Sequence, residues 1–232
     1  NLFRQEVDAL IEKGEAKERA LFSVIKRYLK ECKDIRFDGN GYSEEWEKEA
    51  KKRGLDIETS VPLMIDQYLK ERSIQMFTST GVLNQSELRS RCEVKWENYS
   101  MKLQIESRVL GDLVINHILP AAKRYQTVLL QNVQGVKQVF STSEAEKLSE
   151  QDILLIRSIE NHTSAITAKV NNMNKERARA NHIDNQRERA ITFHDYVVPL
   201  MEEIRQHVDD LEMVIDDQLW PLPKYRELLF IH

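Results

Sequence analysis

Apolar residues recur at helical spacing through most of the chain, first in short segments and then in long ones. Near the start, Leu2, Val7, Leu10 and Ile11 share one face, and a second segment repeats the pattern after Gly14. Residues three and four apart lie on the same side of a helix. The spacing therefore predicts two short helices, each with one buried face.

Turn and cap signals divide the next region into short pieces. Residues 38–41 read Asp-Gly-Asn-Gly, and both dipeptides favour turns because glycine accepts a positive φ. Ser43 can then cap a helix over residues 44–53, and Gly54 can end it. Pro62 suits the first turn of a further short helix. This part of the chain is therefore predicted to be a series of short helices and turns.

A much longer amphipathic segment follows. Asn84 and Glu87 have the three-residue spacing of a capping box, so a helix is expected to begin there. Its apolar stripe runs from Trp96 to Phe140. Pro120 falls inside this stripe and is expected to kink or break the helix, because its ring removes a backbone donor.

Two more long segments complete the pattern. The third has apolar positions from Ile153 to Met173. The fourth has a heptad-like seam at Leu200, Ile204, Val208, Leu211 and Ile215. Helices of this length do not bury such stripes alone, and an antiparallel bundle covers them economically. The prediction is an all-α fold, in which short helices and turns are followed by an antiparallel bundle of long helices.

Composition excludes several classes of protein. With 41% apolar and 31% charged residues, the 232-residue chain is too apolar for a disordered protein and too charged for a membrane protein. Seven glycines and five prolines are few for an all-β fold, which needs many turns. The net charge of −4, with both signs mixed along the chain, gives no reason to expect binding to nucleic acid or to an anionic membrane.

Two further features concern the setting and extent of the chain. Cys32 and Cys92 form no Cys-x-x-Cys pair, so we expect neither a zinc motif nor a redox motif. Two isolated cysteines fit the reducing cytoplasm. The chain opens at Asn1, already inside an amphipathic pattern, and is expected to be a piece of a longer protein.

The sequence contains no recognisable catalytic motif. A phosphate-binding GxxxxGK[ST] loop is absent, and the Gly-Asn-Gly turn lacks the third glycine of a dinucleotide fingerprint. Glu203, His207 and Asp210 share one helix face, where a metal site is the alternative to the favoured solvated polar face. Basic residues at 175–189 alternate with acidic ones, which favours a solvated face over a phosphate-binding patch. Residue chemistry therefore assigns no catalytic, cofactor-binding or metal-binding residue.

Four segments together resemble a known family. Residues 36–46 read Arg-Phe-Asp-Gly-Asn-Gly-Tyr-Ser-Glu-Glu-Trp, and residues 49–55 read Glu-Ala-Lys-Lys-Arg-Gly-Leu. Residues 106–112 read Glu-Ser-Arg-Val-Leu-Gly-Asp, and residues 216–230 read Asp-Asp-Gln-Leu-Trp-Pro-Leu-Pro-Lys-Tyr-Arg-Glu-Leu-Leu-Phe. In order and rough spacing they are similar to the C-terminal third of type III glutamine synthetases, over nearly the whole chain. The first and last of these segments are the most specific.

The resemblance implies a parent enzyme that joins glutamate and ammonia through a γ-glutamyl phosphate. That enzyme uses ATP with magnesium or manganese and assembles into large ring-based homo-oligomers in the cytoplasm. Its catalytic residues lie in the preceding catalytic domain, and none of their motifs matches a position here. The segment alone is therefore expected to be inactive and to hold no cofactor. Its expected partners are the catalytic domain and other subunits of the same enzyme.

The resemblance and the patterns together suggest a division of the chain. Residues 1–35 are expected to be closing helices of the preceding catalytic domain, and residues 36–83 a region of short helices and turns. Residues 84–218 are expected to form the long-helix bundle, and residues 219–232 an apolar docking tail.

Four aromatic residues are candidates for docking onto neighbouring parts of the enzyme, because aromatic side chains dominate interface energetics. They are Trp46, Trp220, Tyr225 and Phe230. The alternative is that they fill the core of this segment. A different class of function also remains open, namely an independent helical adaptor without enzymatic activity, which the heptad-like seam and the missing active site would both suit.

Overall fold

In a computed structural model, the chain is described over residues 2–229, except for the side chains of residues 225 and 226. Within that range the regular elements are all helical. The all-α prediction is therefore confirmed, including the change from short helices to long ones. The chain divides into two compact units, Asn1–Thr59 and Ser60–His232. None of the described helices combines the length and apolar character needed to cross a bilayer.

The first unit is a helical hairpin followed by a turn and a short helix. Helix α1 spans Leu2–Glu12, α2 spans Lys17–Glu31, and α3 spans Glu44–Lys52. The hairpin closes over one small buried cluster of Val7, Ala20 and Val24. The two predicted short helices are confirmed, but their predicted faces are only partly buried, since Leu2 is 73% exposed and Ile11 is 37% exposed.

The second unit begins with two short helices and their connections. Helix α4 spans Val61–Asp66 and α5 spans Glu71–Ser79. They lie on the start of the bundle, where the buried Trp96 indole donates a hydrogen bond to the Pro62 carbonyl at 3.0 Å. Cys92 is also buried there.

The bundle consists of three long helical rods. The first rod contains α6 (Gln85–Leu113) and α7 (Leu119–Val139), the second is α8 (Thr142–Asn181), and the third contains α9 (Gln186–Thr192) and α10 (Val198–Val214). A one-turn helix, α11, spans Tyr225–Leu228. The predicted capping box begins the first rod, with the Asn84 Oδ1 accepting from the Glu87 amide at 2.9 Å.

Neighbouring rods run antiparallel. Lys123 of α7 bonds to Glu160 of α8, and Asn132 of α7 donates to Asp152 of α8, so residue numbers rise along one helix as they fall along the other. The predicted antiparallel arrangement of long helices is thereby confirmed.

Two prolines lie inside rods without interrupting them. Pro120 and Pro199 each follow a π-helical turn, over Val114–Ile118 and Phe193–Val197. In the first turn the Leu119 amide bonds to the Val114 carbonyl five residues back. The wider turn accommodates a residue that cannot donate and whose ring would crowd the preceding turn. The expected break at Pro120 is therefore a local widening of a continuous helix.

The core of the second unit is continuous along the rods. The heptad-like seam is buried as predicted at Ile204, Val208, Leu211 and Ile215. Its partners across the core include Ile118 from the π-helical turn before α7, and Ile159, Ile166 and Met173 from α8, all at most 2% exposed.

Candidate functional site

Three potential metal-ligating side chains meet on the surface of the bundle. His162 lies on α8, and His207 and Asp210 lie on α10. The two Nδ1 atoms are 3.1 Å apart, and the His162 Nδ1 is 3.9 Å from the Asp210 Oδ2. One ligating atom from each residue lies within 4.8 Å of the other two. We call this group the His–His–Asp cluster.

The bundle positions the cluster beside its own core. On α8, His162 follows Ile159 by three residues and precedes Ile166 by four, and both isoleucines are fully buried. On α10, His207 is adjacent to the buried Val208. Both imidazoles are therefore partly buried at the edge of the apolar seam, whereas the Asp210 side chain is 55% exposed.

The surroundings favour a neutral imidazole at His207. Burial lowers the pKa of His207, and the nearby His162 and the Lys169 ammonium lower it further. The carboxylates of Asp210 and Glu203 act in the opposite direction but do not reverse this pKa shift. A ring that stays neutral at pH 7 keeps a nitrogen lone pair available as an acceptor or metal ligand.

The predicted polar face of Glu203, His207 and Asp210 shares only its last two residues with the His–His–Asp cluster. Glu203, which shares a helix face with His207 and Asp210, is engaged in an ion pair with Lys169 of α8. His162 provides the third ligating atom instead. It lies 45 residues before His207, so helical spacing along one element gave no sign of it.

Trp46, the first docking candidate, belongs to a small aromatic assembly in the first unit. Its ring is half-buried and stacks on Phe37, with centroids 4.1 Å apart and an interplanar angle of 24°. The Arg53 guanidinium lies 5.5 Å from the Trp46 centroid and donates to the carbonyls of Asp34 and Arg36. These contacts give the sequence motif at residues 36–53 a structural role, because its side chains pack against and bond to one another.

The remaining docking candidates fall at the end of the chain. Trp220 is 8% exposed and packs into the core of the second unit, with Leu219 and Leu222 beside it. This placement favours the alternative for Trp220, that it fills the core of its own segment. The side chain of Tyr225 and the whole of Phe230 lie outside the described residues. Docking by this tail stays a prediction.

Two exposed apolar stripes, on α2 and α6, lie outside the four predicted docking candidates. On α2, Phe22, Ile25 and Leu29 are 66%, 45% and 48% exposed and lie on one face. On α6, Met101, Ile105 and Val109 are each about half exposed at every fourth position. We call these the α2 stripe and the α6 stripe. The spacing of four residues in the sequence indicates that Met101, Ile105 and Val109 share one helix face. Whether that face is exposed depends on which side of α6 the bundle covers.

The basic residues at 175–189 are mostly engaged by the protein. Arg187 makes a bidentate pair with Asp66 at 2.6 and 2.7 Å, and Arg179 pairs with Glu176. Arg189 donates to the Ile183 carbonyl at 2.8 Å. These contacts favour the structural interpretation of the cluster over a phosphate-binding patch.

Known proteins resemble this chain in sequence. Residues 20–137 match the family model of the glutamine synthetase C-terminal domain. A glutamine synthetase of Bacteroides fragilis (strain YCH46) is 46% identical over 230 residues, which cover 99% of this chain and 32% of that protein. A type-3 glutamine synthetase of Dictyostelium discoideum is 28% identical over 229 residues, which cover 94% of this chain and 30% of that protein. The chain spans about a third of the length of these curated relatives.

Proposed function

Because this chain belongs to the family of glutamine synthetase C-terminal domains, we propose that it is the helical, non-catalytic part of a type III glutamine synthetase. The whole protein would join ammonia to glutamate at the expense of ATP in the cytoplasm. The observation that carries the proposal is the 46% identity to a glutamine synthetase along 99% of this chain. The type-3 name of a second relative supports the subtype.

The magnesium or manganese ion of the parent reaction does not fit the His–His–Asp cluster. These ions prefer carboxylate, carbonyl and water oxygens. The three-ligand group found among the described residues supplies two imidazoles and one carboxylate. We therefore propose a structural role in assembly for this chain.

The α2 stripe is our proposed contact with the preceding catalytic domain. The hairpin that carries it buries only the small cluster of Val7, Ala20 and Val24. A core of this size leaves little hydrophobic stabilisation for an isolated hairpin. Covering Phe22, Ile25 and Leu29 with another part of the enzyme would supply the missing burial.

The α6 stripe is our proposed contact between subunits. Met101, Ile105 and Val109 stand 50%, 55% and 52% exposed on a rod whose opposite face is already packed into the bundle. Methionine and β-branched residues at i, i+4 and i+8 form a continuous apolar ridge of the kind that packs against another helix. The bundle does not need these side chains for its own core, so the ridge is free to serve assembly.

The test compares full-length enzyme carrying Met101→Ser, Ile105→Ser and Val109→Ser with the wild type. We expect smaller particles by analytical ultracentrifugation, unchanged helical content by circular dichroism, and reduced synthesis of glutamine. The matched control replaces Lys102 and Glu106, both exposed on a neighbouring face of α6, by serine. Particles of full size in the triple variant would contradict the subunit contact.

The α2 stripe is tested in the same enzyme by Phe22→Ser, Ile25→Ser and Leu29→Ser. We expect faster hydrogen exchange across residues 2–31 and lower activity, with particle size retained. Replacement of Lys26 and Lys30 by serine alters the same helix at exposed positions without touching the stripe. Equal exchange in the triple variant and this control would show that no domain covers the stripe.

A further inference from the structure

We propose that His162, His207 and Asp210 bind one divalent transition-metal ion of the zinc class, which links α8 to α10. Neither the resemblance to glutamine synthetases nor the assembly role assigns this site. The proposal is independent of which reaction the whole protein performs.

The spacing of the two imidazoles suits a single ion. Zinc–nitrogen distances of about 2.0–2.1 Å in a tetrahedral site place two ligating nitrogens about 3.3 Å apart. The observed separation of the two Nδ1 atoms is 3.1 Å. Asp210 Oδ2 lies 3.9 Å from the His162 Nδ1, roughly half an ångström beyond the spacing of two ligands on one zinc ion, and so needs to move inward to complete the set. Its side chain is 55% exposed, which leaves space on the solvent side for that movement.

The ligand types select the class of metal. Two imidazoles and one carboxylate are a common protein ligand set for zinc, with a water molecule in the fourth position. Magnesium and calcium prefer oxygen ligands, so imidazole nitrogens discriminate against them. The exposed carboxylate of Asp210 leaves the cluster open to solvent, which provides both the entry path and the water.

The helices hold the two imidazoles close before any ion arrives. His162 lies between the fully buried Ile159 and Ile166, and His207 lies beside the buried Val208. Ligands mounted on packed helices keep their geometry better than ligands on loops. The ion would therefore bind a largely preformed pair and add one mobile carboxylate.

The neighbouring charges are compatible with a cation. Lys169 of α8, one of the positive charges near His207, is paired with Glu203 of α10. Asp210 adds a carboxylate, which lies 3.9 Å from the His162 Nδ1. An ion-free hydrogen bond between the two imidazoles is the competing explanation of their contact, and it predicts no metal dependence.

The test measures zinc in the full-length polypeptide that contains this chain. Wild-type protein and the variants His162→Gln, His207→Asn and Asp210→Asn are equilibrated with Zn²⁺, dialysed, and analysed for metal per chain. Any zinc in a catalytic domain is common to all of them, so the difference reports this site. We expect one more zinc per chain in the wild type than in either histidine variant. Asp210→Asn should weaken zinc affinity by at least roughly 10-fold, since even outer-shell partners are worth 10- to 100-fold.

The matched control is His182→Asn, which removes an exposed histidine at the end of α8. It should retain the additional zinc, and Co²⁺ bound to it should show the visible absorption of a tetrahedral site, as in the wild type. Circular dichroism checks that each variant keeps its helical content. Equal zinc in the wild type and His207→Asn, or equal loss in His182→Asn, would overturn the proposal.

Discussion

The two compact units bury their apolar residues to very different extents. In Asn1–Thr59 the hairpin buries a cluster of three small or medium side chains, while Phe22 remains two-thirds exposed. In Ser60–His232 the core extends along three rods and includes large side chains such as Phe193, at 0% exposure. The second unit contains the burial needed for its own stability, whereas the first depends more on local devices.

Those local devices are concentrated after the hairpin. Ser43 Oγ accepts from the Trp46 amide at 3.2 Å, and Phe37 stacks on the Trp46 ring. Arg53 ties the end of α3 to the backbone carbonyls of Asp34 and Arg36. Hydrogen bonds and stacked rings specify a conformation but replace only part of a core, since each contributes about 1 kcal/mol. The difference between the units predicts how matched substitutions will behave.

The largest expected effect is in the bundle core. Phe193→Ala should destabilise the second unit by about 3–5 kcal/mol, because a buried ring leaves a cavity. Val24→Ala removes two methyl groups from the first unit and should cost about 1.5 kcal/mol. Peptide-resolved hydrogen exchange measures the stability of each unit separately in the same protein. Equal losses of stability in Val24→Ala and Phe193→Ala would contradict the difference between the units. The surface control is Leu154→Ala, since Leu154 is 52% exposed on α8.

Two tryptophans provide the next comparison. Trp96→Phe should cost about 2 kcal/mol, because it deletes buried volume and the hydrogen bond to the Pro62 carbonyl. Trp46→Phe keeps a ring to stack on Phe37 and should cost less than about 1 kcal/mol. Urea unfolding, followed by circular dichroism, measures the difference. Equal losses in the free energy of unfolding would show that the half-buried indole of Trp46 stabilises the protein as much as the buried indole of Trp96.

The helix caps should give smaller and nearly equal effects. Ser43→Ala and Asn84→Ala each remove a side chain that accepts from a first-turn amide, at a cost of about 1 kcal/mol. Exchange of the Trp46 amide and the Glu87 amide reports each cap locally. We expect Asn84→Ala to be slightly worse, since the cap bond that it removes is shorter, at 2.9 Å against 3.2 Å for Ser43. A cap effect confined to one unit would show that local devices are not interchangeable.

The smallest expected effect at neutral pH is that of tyrosine ionisation, which changes stability only above about pH 10. Burial raises the pKa of Tyr99 to about 12, with Asp195 and Glu106 adding to the shift. In the first unit a hydrogen bond with Glu6 raises the pKa of Tyr28. Both folded-state pKa values lie above the unfolded value of about 10. The associated stability is therefore complete below pH 10 and is lost as pH rises through the folded-state values.

Phenolate absorbance against pH tests this last comparison. The Tyr99→Phe difference spectrum should report a residue that is largely un-ionised at pH 11. Glu6→Gln should bring the pKa of Tyr28 back towards its ordinary value and leave Tyr99 unchanged. If Glu6→Gln left the titration of Tyr28 unaltered, the hydrogen bond would not be the cause of its shift.

Local signals predicted local structure well. The helix starts at Ser43 and Asn84 were predicted because a capping side chain and its target amide are three residues apart. The end of α3 at Gly54, with φ of +72°, was also predictable because it depends on neighbouring residues alone. At Pro120 the sequence indicated a disturbance but not its form, because a π-helical turn and a break remove the same backbone hydrogen bond.

Sequence alone determined the all-helical class, the caps and turns, and the resemblance to glutamine synthetases, since each depends on residues close together in the chain or on their order. The tertiary structure decided which faces are covered. It placed Trp220 in the core of its own unit, left the α6 stripe exposed, and brought His162 to His207. These outcomes depend on the axial register between α8 and α10 and on the packing of side chains tens of residues apart. That register is set by the fit of the whole core and cannot be read from the spacing within one helix.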